Sequence, residues 1–77
     1  MPCRVGITTR PEKRRREWEN KVIGLKNWRI IGKHQSRKKA QEHEDSYARQ
    51  HGCGAMHGGR WGSGMYYVYR FDYTRTK

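Results

Sequence analysis

Residues 5–19 read VGITTRPEKRRREWE. The stretch passes from an apolar alternation to a helix start and then into a run dense in arginine. Cys3, Val5 and Ile7 alternate with Arg4, Gly6 and Thr8, the period-two pattern of a strand, so a strand is expected over Cys3–Thr8. Thr9, Pro11 and Glu12 then fit a capping box: the threonine hydroxyl accepts from a first-turn N–H and the glutamate reaches back. The helix should run to about Asn20 or Val22, with Arg14, Trp18 and Val22 on one stripe at i, i+4, i+8. A strand opening at Cys3 has nothing ahead of it to pair with. Its partner must come from further along.

Working outward, Trp28–Gly32 (WRIIG) reads as a second strand. Ser36 is placed to cap a helix over Arg37–Gln50, which Gly52 would end. On that helix Ala40, His43 and Tyr47 share a face, with Glu44 beside them. Residues 51–64 hold most of the glycines and read as a flexible loop. The segment GMYYVYRFDY is strand-like. It puts Met65, Tyr67, Tyr69, Phe71 and Tyr73 on one face and Tyr66, Val68, Arg70 and Asp72 on the other. The order strand, helix, strand, helix, strand predicts one α+β domain over residues 1–77, a small three-stranded, mainly antiparallel sheet with two helices packed against it.

The 77 residues are 32% hydrophobic, so the core must be thin, and Trp18 and Trp28 are its aromatic candidates. No apolar run is long enough to cross a bilayer or to act as a signal-peptide core, which predicts a cytoplasmic or nucleoid-associated chain, of cellular or phage origin. On that reading Cys3 and Cys53 are expected to be reduced. Eighteen Lys and Arg against seven acids leave a net charge of +11. Such a field repels itself unless a polyanion is near, which predicts a nucleic-acid partner, DNA or RNA. The basic residues have no companion face of Leu, Ile and Phe, so a membrane surface is the poorer partner.

These segments carry a resemblance. A strand ending in VGIT, a polar turn and an arginine-bearing helix resemble the second half of the unit that opens GIY-YIG nuclease domains. The run WRIIGKHQSRKKAQEHEDSYARQHG resembles the family's third strand and its glutamate-bearing helix. The family's first motif, Gly-Ile-Tyr, has no counterpart ahead of Val5, but Gly64-Met65-Tyr66 is similar to it, with Met for Ile. The resemblance therefore implies a circular permutation, in which the last strand lies antiparallel beside Arg4–Thr8. Two departures are plain: Arg4 stands where the second motif has tyrosine, and Trp18 where some members have histidine.

By this resemblance Glu44 would hold Mg²⁺ or Mn²⁺, Arg14 would clamp the scissile phosphate, and Tyr66 would orient or deprotonate the attacking water, with Arg4 at the second tyrosine position. Read from the residues alone, Glu44 is a solvated helical acid and Arg14 part of a basic face. Arg10, Lys13, Arg15, Arg16, Lys38, Lys39, Arg60 and Arg70 are the candidate phosphate contacts, and Trp61, in the glycine-rich loop, a base-stacking one. His51, Cys53 and His57, with Cys3 or His43, raise zinc. They lack the paired spacing of a structural site, and a helix end with a loop is the better account. Two further functions stay open: a nucleic-acid-binding module of the same fold without turnover, and a small basic protein that docks on an acidic protein surface.

Overall fold

The computed structural model describes residues 2–55 and 64–77. Strand β1 (Cys3–Thr8) leads into helix α1 (Pro11–Lys21), and the two-residue strand β2 (Val22–Ile23) follows at once. Strand β3 (Lys26–His34) precedes helix α2 (Arg37–His51), and β4 (Gly54–Ala55) follows it. Strands β5 (Tyr66–Asp72) and β6 (Arg75–Thr76) close the order.

The partner of VGIT is β5. It runs antiparallel to β1 from Cys3↔Asp72 to Thr8↔Tyr67, and antiparallel to β3 on its other side. The main sheet has the order β3-β5-β1-β4, with β4 parallel to β1, and β2 pairs with β6 in a separate two-stranded sheet. The expected three antiparallel strands are present, but the sheet is mixed and four-stranded. The difference arises because Gly54 and Ala55, assigned from composition to a loop, find the free edge of β1.

Both faces of the sheet are covered. On one, Val5, Ile7 and Val68 bury against Ala40 of α2, with Ile31, Tyr47 and Tyr66 packed around them. On the other, Trp18 of α1 joins Val22, Tyr69 and Phe71, with Leu25, Trp28 and Tyr73 at the margin. The second cluster is largely aromatic. Trp28 stacks on Tyr69 with centroids 4.6 Å apart, and Trp18 tilts against Phe71 at 4.9 Å. Large rings supply the buried area that a sequence poor in aliphatics lacks.

Three local expectations are corrected. No side chain caps α1: Arg10 is the N-cap residue, and the hydroxyl of Thr8, not Thr9, accepts from the Arg10 N–H at 3.0 Å. Ser36 occupies the N-cap position of α2 without a side-chain hydrogen bond. Cys3 and Cys53 are joined in a disulfide, Cα atoms 4.8 Å apart, where reduced thiols are expected from composition. The cause is local. Pairing of Arg4 with Gly54 brings the residues immediately before them, Cys3 and Cys53, side by side. The bridge takes both sulfurs out of thiolate-ligand chemistry. Helix α2 ends as expected, with Gly52 at φ 66° and its N–H on the Ala48 carbonyl.

Candidate nucleic-acid interface and reaction centre

Strands β1 and β3 are both antiparallel to β5, so both end where β5 begins, and each delivers a helix there. α1 follows Thr8 and α2 follows His34 at the same end of the sheet. Arg10, Lys13, Lys33, Arg37, Lys38 and Lys39 all lie within or next to these junctions, and all are exposed. A sequence with its cations dispersed along the chain is thus folded so that one end of the sheet is strongly positive.

At that end a cavity of about 400 Å³ opens between the start of α1 and the start of β5. Arg10, Lys13 and Arg16 line it together with Glu12, Pro11, Thr9 and Tyr67. Among the described residues these three cations make no ion pair. Their neighbours do: Arg14 pairs with Glu17 at 3.0 Å and Arg15 with Glu19 at 3.2 Å. The helix therefore divides its basic residues between its own acids and the cavity. Lys38 and Lys39 do not line the cavity, and Arg70 is held by Asp72 at 2.6 Å with its side chain 13% exposed. Arg60, Trp61 and His57 lie outside the described residues.

Beside the cavity, on the same face of β5 as Tyr67, is Tyr69. Its ring lies across Gly6, where any Cβ would collide with the tyrosine hydroxyl. This close approach is the physical reason for glycine in VGIT. The indole Nε1 of Trp18 donates to the Tyr69 hydroxyl at 2.9 Å. Burial pushes the Tyr69 pKa up. The Trp18 hydrogen bond and the Arg14 guanidinium pull against that, while Glu44 and Glu17 push further up. The phenol is neutral at ordinary pH, and with Trp18 donating to its oxygen, its own hydrogen is left to donate. Arg14 and Tyr69 lie on the side of the sheet that α1 covers, and Glu44 belongs to α2 on the opposite side.

Glu44 is fully buried on α2, and burial, reinforced by Asp45, raises its pKa from 4.5 to about 7. Its placement differs from that of a solvated helical acid. Tyr66 pairs with His34 of β3 and packs with Val5, Ile7 and Val68 on the face that α2 covers. No sequence signal ties Tyr69 to Gly6, because the β1–β5 register depends on contacts between distant segments.

Arg4 sits in the aromatic cluster on the α1 side of the sheet. Its guanidinium lies 5.5 Å from the Trp18 ring centroid and 5.8 Å from that of Tyr73, and its Nε donates to the Tyr73 hydroxyl at 3.4 Å. A stacked arginine completes the aromatic cluster at the position where the resemblance leads one to expect tyrosine. A second titratable pair lies on the α2 side, where His34 Nε2 and His43 Nδ1 are 3.0 Å apart. Among the described residues no group of three or more His, Cys, Asp or Glu gathers as metal ligands, and no helix is long and apolar enough to cross a membrane. No protein-family model, no curated protein and no solved structure matches the chain.

Proposed function

We propose that the chain binds nucleic acid through the basic end of its sheet and hydrolyses phosphodiester bonds with a divalent cation, in an arrangement similar to that of GIY-YIG nucleases. The observation that carries this reading is the cavity at the start of α1, lined by Arg10, Lys13 and Arg16, at the end of the sheet where Lys33, Arg37, Lys38 and Lys39 are also exposed. The cleavage part of the reading rests on Glu44, the buried carboxylate of α2. Placement of β5 between β1 and β3 supports the permuted strand order on which the resemblance depends.

The donor chemistry at Glu44 fits a hard cation such as Mg²⁺ or Mn²⁺, because burial and Asp45 both oppose its negative charge and a bound cation would relieve it. When bound, the ion supplies charge relief at the phosphoryl and leaving oxygens. The chain's own residues do the rest. Arg14 leaves Glu17 to place its planar guanidinium on the scissile phosphate. Tyr66, packed on the face of the sheet that α2 covers, orients the water.

Binding without cleavage is the second reading, and the full burial of Glu44 with the aromatic seat of Arg4 favours it. Labelled single- and double-stranded DNA and RNA, incubated with Mg²⁺, Mn²⁺ or EDTA, separate the two. Metal-dependent cutting that is lost in Glu44→Gln and Arg14→Ala while binding persists supports the nuclease. Salt-sensitive binding with no cutting under any metal assigns the second reading.

A further inference from the structure

We propose that the cavity at the start of α1 takes one unpaired nucleotide, its base against the Tyr67 ring and its phosphates on Arg10, Lys13 and Arg16, so that the chain prefers single-stranded nucleic acid to duplex. This rests on the reading of the chain as a nucleic-acid binder and narrows its substrate class. At about 400 Å³ the cavity falls within the range of sites that enclose a small molecule. Its chemistry is divided as a nucleotide requires, with cations along the helix side and an aromatic ring on the sheet side. Glu12, also on the wall, repels phosphate, and it is an acceptor suited to a base amino group.

The aromatic wall decides the strand state. Stacked, paired bases present only their edges in the grooves, whereas a side-chain ring needs the face of an unstacked base. Tyr67 is half-buried, fixed between Thr8 of β1 and Lys33 of β3, which sit opposite it on the flanking strands. Its ring is therefore held by the sheet, and Lys33 adds a cation beside it. Tyr69, two residues along on the same face, lies roughly 7 Å further.

The test is fluorescence anisotropy at fixed salt in EDTA, with a labelled oligo-dT, an oligo-U and a duplex of the same length. The expected result is tighter binding of both single strands than of the duplex. Tyr67→Ala should lose roughly tenfold on single strands, with duplex affinity and salt slope unchanged, and Tyr67→Phe should keep wild-type affinity. Equal affinity for duplex and single strands, or a Tyr67→Ala loss that is the same on both, overturns the proposal while leaving nucleic-acid binding intact. Absence of salt-dependent binding to all three probes overturns the parent reading instead. Retention in Tyr67→Phe separates stacking from a folding defect, since phenylalanine preserves both the ring and the strand.

Discussion

Replacing Glu44 by glutamine removes a charge that the fold resists and keeps the shape of the side chain. Glu44 is raised from 4.5 to about 7 by burial and by Asp45. For an acid with a raised folded pKa, the protonated form stabilises the native state. That stability is fully present below pH 4.5 and is lost as pH rises through about 7. At 1.36 kcal/mol for each pH unit, the interval amounts to about 3 kcal/mol. Glutamine is neutral throughout and loses nothing over the same range. The stability of Glu44→Gln relative to wild type should therefore grow by about 3 kcal/mol between pH 4.5 and pH 8, on the order of 15 °C in melting temperature for a domain of this size. Urea or thermal melts of both proteins across that range, followed by circular dichroism, give the difference directly, and subtraction cancels the titration of every other group. Mg²⁺ or Mn²⁺ added at pH 8 should raise the wild-type melting temperature and leave the variant unmoved, since only the carboxylate binds. Parallel pH curves for the two proteins would refute the burial argument, and equal responses to the metal would refute the assignment of Glu44 as its ligand.

Further predictions follow from other contacts. The Cys3–Cys53 bridge closes a separation of 50 residues, and the chain-entropy relation gives about 4 kcal/mol for a loop of that length. Reduction, or Cys53→Ser, should lower stability by that order, and unchanged melting in dithiothreitol would mean the bridge does not form. Gly6→Ala forces the Tyr69 ring from its place and should cost about 1–3 kcal/mol; an upfield-shifted Tyr69 NMR signature unaltered by the substitution would show the contact is not made. His43 has its pKa lowered, first by burial and then by His34, so its folded state favours the neutral ring. Stability should fall as pH drops below 6.5, the loss should be absent in His43→Gln, and a wild-type curve flat between pH 7 and pH 5 after subtraction of that variant would contradict it.

The elements that could be read from sequence are those whose signals are local. Alternation at Cys3–Thr8, the Trp18–Val22 stripe and the Gly52 stop each lie within a few residues, and each element appears where those signals place it. Trp18 and Trp28 likewise take their expected places in the core. What escaped depends on contacts between distant segments. The pairing of Cys3 with Cys53 needed the two-residue strand β4, too short to show any alternation. The seat of Tyr69 across Gly6 needed the register between β1 and β5, which no tight turn connects. The division of α1's arginines, Arg14 and Arg15 to Glu17 and Glu19, Arg16 to the cavity, needed the position of β5 against the helix. In the sequence these residues form one undivided basic run.

The claim on which the account rests is that the chain grips phosphates through the cavity of α1, and the salt dependence of affinity tests it most directly. For single strands the log–log slope is about −0.7 for each phosphate neutralised, so Arg10, Lys13 and Arg16 alone contribute about −2. The wild-type slope should be steeper than that, because Arg14 and Lys33 stand beside them, and it should fall by about 2 when the three cavity residues are changed together to alanine. A wild-type slope near zero, or one that the triple substitution leaves unchanged, would contradict it.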